Sequence, residues 1–285
     1  MMSLKLFLLP VLFVLASLTV SAQTDVFGNR IPTRKTTVKP IPAHYNQTDA
    51  EGLKQGPWEK RYTDGSPLYK ATFKNNKPVG KYTRYYPNGK KSLEIIYDEN
   101  GEYGDARLFD QDGKLNSSGR YRGKQKIETW TYYGEKEIIL ATEEFVDGRP
   151  HGQYKVFYPG GAVAEIIHWR NGKKDGEWLK FFEDGAPLLK ARYQADQLQG
   201  KYLYYYKNGQ LEIDANYIDN KEDGNWTFYL ADGKVNYVLK YNKGTLLNPE
   251  VLEERRAKEE AEFQKQKDKL KDPEKMQNNP EMYMR

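Results

Sequence analysis

Gly176-Glu177-Trp178-Leu179-Lys180-Phe181-Phe182-Glu183-Asp184-Gly185 runs into Ala186-Pro187-Leu188-Leu189-Lys190-Ala191-Arg192-Tyr193, and the fold follows from how this stretch is read. Asp-Gly and Asn-Gly favour tight hairpin turns, because both central positions of such a turn need positive φ. Asp184-Gly185 therefore marks a turn. After it Leu189, Ala191 and Tyr193 alternate with polar residues. Period two is the mark of a strand with one covered face. The stretch predicts a β-hairpin: strand A before the turn, strand B after it.

Working outward, the hairpin returns along the chain. Its opening glycine belongs to a column of Gly56, Gly80, Gly104, Glu128, Gly152, Gly176, Gly200 and Gly224, each 24 residues after the last. Two residues on stand Trp58, Tyr82, Ala106, Trp130, Tyr154, Trp178, Tyr202 and Trp226. The turn glycine recurs at Gly65, Gly89, Gly113, Gly161, Gly185, Gly209 and Gly233, with Glu137 in the fourth copy. An aromatic closes every strand B: Phe73, Tyr97, Tyr121, Phe145, Trp169, Tyr193, Tyr217 and Tyr241. Eight copies in one register without an insertion define a repeat array. The opening glycine is expected to relieve crowding or to permit a bulge where strand A starts. The fourth copy lacks both signature glycines and carries Gly134, so its turn is expected to shift toward Gly134.

The units 80–89 and 176–185 resemble MORN-type repeats, and are most similar to the bacterial MORN variant of proteins named YwqK-family antitoxins. The resemblance covers about residues 52–244. It implies a scaffold, a membrane-contact module or an appendage to an enzyme. An antitoxin role fits poorly with export, because a cytoplasmic toxin could not be neutralised from outside the membrane.

The predicted fold class is all-β: an elongated antiparallel meander of about sixteen short strands in eight hairpin repeats over 52–247. Composition agrees. Only 38% of the chain is hydrophobic, while Tyr occurs 23 times. Tyr suits a thin sheet whose side chains are half-buried and keep a polar tip. Before the array, Lys5 precedes an apolar run from Leu6 to Leu18, and Val20-Ser21-Ala22 supplies a cleavage site. Residues 1–22 read as a secretory signal peptide, which predicts export to the periplasm or cell surface. Residues 23–51, with Pro32, Pro40 and Pro42, read as an extended linker. Without cysteine the chain has no disulfide and no lipoprotein anchor.

A repeat array exposes two end strands that need protection. Pro40-Ile41-Pro42 is expected to lie across the first edge. At the other end Asn248 reads as a helix N-cap and Pro249 as the first helical residue. A charged capping helix is predicted over 248–271, with Glu254/Lys258, Arg255/Glu259 and Arg256/Glu260 as i,i+4 pairs. Val251, Leu252, Phe263 and Leu270 give it little apolar face, and 272–285 reads as a disordered tail.

No nucleophile motif, Walker loop or helical metal-ligand pair is visible. His44, His151 and His168 are scattered, and the carboxylates Asp175, Glu177, Glu222 and Asp223 flank opening glycines in turns. No enzyme activity, cofactor or metal is expected, and the 45 basic and 40 acidic residues are too interspersed for a nucleic-acid patch. The expected function is an exported scaffold for a protein partner in the cell envelope, with a glycan or membrane surface as other partners. Alternatives are an antitoxin-like inhibitor and the binding part of a cell-wall polysaccharide-processing system. The candidate partner-binding residues are Trp58, Tyr82, Trp130, Tyr154, Trp178, Tyr202 and Trp226. They serve either as a binding platform or as packing over the opening glycines.

Overall fold

The computed structural model describes residues 39–267. The signal peptide, linker residues 23–38, helix residues 268–271 (with Leu270) and the tail lie outside the described residues. The rest is an antiparallel meander with a single helix behind it. Copy one is β2 (Lys54–Arg61) and β3 (Pro67–Lys74), preceded by the short β1 (Gln47–Thr48). Then follow β4 (Lys77–Tyr85), β5 (Lys91–Tyr97), β6 (Tyr103–Phe109), β7 (Leu115–Arg122), β8 (Gln125–Tyr133) and β9 (Ile139–Val146). Copies five and six are β10 (Arg149–Phe157), β11 (Val163–Arg170), β12 (Lys173–Phe181) and β13 (Pro187–Gln194). In copies seven and eight strand A is interrupted just before the opening glycine. This gives β14 (Gln197–Leu198) with β15 (Gly200–Tyr205), β16 (Leu211–Ile218), β17 (Lys221–Glu222) with β18 (Gly224–Tyr229), β19 (Val235–Asn242) and the short β20 (Thr245–Leu246). Each strand pairs with its chain neighbour, so the expected sixteen repeat strands form one sheet.

The turns correct the sequence reading in detail. In the Asp/Asn-Gly turns only the glycine has positive φ: 86° at Gly65, 81° at Gly89 and 86° at Gly185. Gly65 N donates to Tyr62 O, and Tyr62 N donates across the loop to Ser66 O. That is a three-residue loop, a type I turn followed by a left-handed glycine. The preceding Asp or Asn acts through its side chain. Asp64, Asn88, Asp184 and Asn208 each accept from the backbone N–H two residues on, at 2.8–3.1 Å. The two-residue turns with both positions at positive φ lie between copies: Asn75-Asn76 at 50° and 66°, Asn171-Gly172 at 52° and 81°.

The opening glycine does both things expected of it. At Gly80, φ is 61°, and the register between β3 and β4 slips there, from Lys70↔Thr83 to Thr72↔Val79. At Gly104 φ is not positive and β5 pairs with β6 without a slip. There the reason is space, because a Cβ would stand 2.5 Å from Ile95 Cγ2.

Copy four departs from its expectation. Its turn does not move to Gly134. Tyr133 pairs with Ile139 just as Arg61 pairs with Pro67, and Gly134 N donates to Ile138 O as Tyr62 N does to Ser66 O. The repeat register holds, and Glu128 and Glu137 adopt the left-handed backbone of the missing glycines, at φ 59° and 58°. Lys136 joins them at 56°, so the interior of the loop differs from that of its sister copies.

At the ends, Gln47 and Thr48 rather than Pro40–Pro42 pair with the first edge. The helix α1 (Glu250–Lys267) follows Pro249 and buries none of its residues. The side chain of Asn248 does not cap it. That carboxamide bonds the backbone of β19 instead, taking a hydrogen bond from Lys240 N at 2.7 Å. Of the three expected ion pairs only Arg255–Glu259 closes among the described residues, at 2.9 Å. Arg255 lies 3.9 Å over the Tyr237 ring, which ties the helix to β19.

The core is one face of this sheet. Strand alternation puts the aromatic two residues past each opening glycine on the same side as the apolar residues of strand B. The packing is densest where Ile95, Ala106, Trp130 and Phe145 cluster.

Candidate functional site: the aromatic face

Each row residue but one stands opposite a small or aliphatic residue of its own strand B, the exception being Trp130, which faces Glu143. Trp58 faces Ala71, Tyr82 faces Ile95, Tyr154 faces Ile167, Trp178 faces Ala191, Tyr202 faces Ala215 and Trp226 faces Leu239. The small partner leaves room for the ring, which then meets the aromatic that closes strand B. Trp58–Phe73, Tyr82–Tyr97, Tyr202–Tyr217 and Trp226–Tyr241 lie 5.5–6.5 Å apart, mostly edge to face. From Trp178 through Tyr202 to Trp226 the rings also touch across copies, at 6.5 and 6.3 Å. Such pairs add to burial because ring edges meet ring faces.

Trp130 is fully buried. Copy three makes its site: Ala106 stands where other copies have a ring, and Gly119 where they have a larger residue. A Cβ on Gly119 would lie 2.3 Å from the indole. The Trp130 N–H donates to Arg120 O at 3.2 Å, as the Trp226 N–H does to Asn216 O. Trp130 is thus a packing residue and leaves the list of binding candidates.

Lysines two residues before the opening position cover several of these rings. Lys54 Nζ lies 4.5 Å from Trp58, and Lys126 Nζ 4.3 Å from Trp130 and 4.9 Å from Phe145. Burial pushes the Lys126 ammonium below its ordinary pKa, against the opposing pull of Glu143.

The row changes character at copies four to six. Glu143 takes the position that is Ala71, Ile95 and Ile167 elsewhere, and Glu165 the position that is Leu93, Leu189 and Ile213. Glu143 accepts from Tyr132 OH at 2.8 Å, and Glu165 from the Trp178 indole N–H at 2.6 Å. Lys180 stands 3.6 Å from Glu165. Between the two carboxylates lies Tyr154, register partner of Glu143 across the β9–β10 junction. Burial raises its phenol pKa, with Glu143 and then Glu165 adding to the effect. Among the described residues Tyr154 is the row member whose ring meets no other ring and whose hydroxyl has no hydrogen-bond partner. The sequence signal for this place was two acids in columns that are otherwise uncharged.

A MORN repeat variant model matches the chain at residues 54–75, 78–99, 150–171 and 198–219. The matches open two residues before Gly56, Gly80, Gly152 and Gly200, which is the register of the hairpins. Four of the eight copies thus match the MORN repeat variant. No curated protein matches it. The other four copies continue the same hairpin pattern in the same sheet. MORN repeats are membrane- or partner-binding modules and not catalytic ones. Among the described residues no group of three or more His, Asp or Glu could hold a metal ion, and no helix is long and apolar enough to cross a membrane.

A second set of residues went unread in the sequence. Tyr62, Tyr86, Tyr158 and Tyr206 stand three residues before their turn glycines. Each donates its hydroxyl to a backbone carbonyl of the next copy, Tyr85, Phe109, Phe181 and Tyr229 respectively, at 2.8 Å. These bonds join copy one to two, two to three, five to six and seven to eight along the turn edge. The recurrence of Tyr at that offset was the available signal.

Proposed function

We propose that the chain is an exported, non-catalytic scaffold whose MORN array holds a protein partner in the bacterial cell envelope. The partner docks on the aromatic face at copies four to six. One observation carries the reading: Tyr154, half-buried, with no ring neighbour and no partner for its hydroxyl, lies between Glu143 and Glu165 in a row whose other rings pack on rings. A ring between two carboxylates suits a Lys or Arg side chain, which gains from the ring face and from the opposite charges. The N-terminal apolar run and Val20-Ser21-Ala22 support export. An antitoxin-like inhibitor would use the same docking face against a toxin in the same compartment.

Two variants compared in two assays test this. Trp178→Ala removes a ring packed on Tyr193 and Tyr202 and should cost roughly 3–5 kcal/mol of stability. Tyr154→Ala should leave the unfolding midpoint much closer to wild type and abolish capture of the envelope partner that the wild-type protein retains. Capture by Tyr154→Ala at the wild-type level would remove this site.

A further inference from the structure

An array of hairpins ends in two strands with free backbone groups, and here the hazard is acute. Every junction between copies pairs strand B of one with strand A of the next. The outer edge of β19 in one molecule would therefore match the outer edge of β2 in another. Such a head-to-tail contact does not close on itself and would extend into a filament.

Both edges are closed by the same device. At the first, Gln47 and Thr48 pair with Gln55 and Lys54, and Asn46 N donates to Pro57 O at 2.9 Å. Beyond that the Asn46 side chain takes over: Glu59 N donates to Oδ1 at 2.9 Å, and Nδ2 donates to Glu59 O at 3.1 Å. At the last edge Thr245 and Leu246 pair with Asn242 and Tyr241, and Leu247 N donates to Lys240 O at 2.8 Å. The Asn248 side chain then accepts from Lys240 N at 2.7 Å and donates to Val238 O at 2.9 Å. A carboxamide offers one acceptor and a donor, as a peptide group does. It satisfies the strand for one more step and presents no outward backbone of its own.

We propose that Asn46 and Asn248 are edge caps that keep a second copy of this chain from adding to either end of the sheet. Each seals one edge, so the interface that both prevent needs both to be lost.

The test uses full-length Asn46→Ala, Asn248→Ala and the double variant in sedimentation velocity over a range of concentrations. Wild type and each single variant should stay monomeric. An equimolar mixture of the single variants should give dimers and stop there. The double variant should give longer species that grow with concentration. Amide hydrogen exchange provides a readout that does not depend on assembly: Glu59 N–H in Asn46→Ala and Lys240 N–H in Asn248→Ala should lose at least tenfold in protection. A double variant that sediments as the wild type does, or amides that keep their protection, would overturn the assignment.

Discussion

Glu137 shows what a single residue contributes to the register. It occupies a position that seven other copies give to glycine, and it takes the left-handed backbone all the same. An L-residue there brings its Cβ close to the following carbonyl oxygen. The hairpin on either side, from Tyr133↔Ile139 to Glu128↔Phe145, keeps the pairing of its sister copies, with the same register shift beside the turn, and holds the residue in place. Glu137→Gly should therefore stabilise the protein by about 1 kcal/mol in urea unfolding, since the strain disappears while every strand pairing stays. Unchanged or lower stability would show that the loop around Lys136 has already relaxed the strain. Glu143 and Glu165 are departures of another kind. They give up apolar packing on the covered face and leave Tyr154 without a ring neighbour, a local conflict of the sort that functional positions carry.

At the scale of the hairpin, the tyrosine bonds between copies do what strand pairing alone does not. They tie the turn edges of copies one, two, five and seven to the next copy. Tyr158→Phe keeps the ring and removes its donation to Phe181 O. It should cost about 1 kcal/mol, the usual net worth of such a bond, and hydrogen exchange should rise at the copy five–copy six turn edge first. Exchange that rises uniformly would mean the bond does not act locally. The hairpins themselves were legible because their cause is local: turn glycines, period-two apolar residues and one closing aromatic suffice. Turn type was not legible from Asp-Gly, because the same dipeptide serves a two-residue loop through its backbone and a three-residue loop through the Asp side chain. Copy four kept its turn because pairing on both sides outweighs one unfavourable φ. Asn248 looked like a helix cap, and only the position of β19 shows that its amide belongs to the sheet. The aromatic row could be read as a row. That Trp130 is buried and Tyr154 free depends on Ala106, Gly119, Glu143 and Glu165, residues of neighbouring copies that the row does not contain.

At the scale of the array, the covered face is built from tyrosine where other proteins use leucine, and this ties stability to alkaline pH. Burial raises the phenol pKa of Tyr82, Tyr97, Tyr121, Tyr132, Tyr154, Tyr193, Tyr202 and Tyr241 above the ordinary 10.0. Tyr217 is pushed up to about 12 by burial and then by the charge of Glu222. A phenol is neutral when protonated, so the folded state holds these protons more tightly than the unfolded chain does. Below pH 10 both states are protonated and this stabilisation is intact. Above it the unfolded chain ionises first, and stability falls as pH rises through the folded values. Because each copy packs on its neighbours, losses in separate copies combine in one transition. Urea unfolding at pH 8, 10 and 11.5, followed by circular dichroism, should show a midpoint that is flat to about 10 and then drops steeply. Phenolate absorbance should rise together with the loss of sheet signal. Tyr217→Phe removes a strongly shifted phenol and keeps its ring, so it should lose less of its midpoint between pH 10 and 11.5 than the wild type does. If the phenols ionised well before the sheet signal fell, the rings would be open to solvent, and the tyrosine face could not be the core of this array.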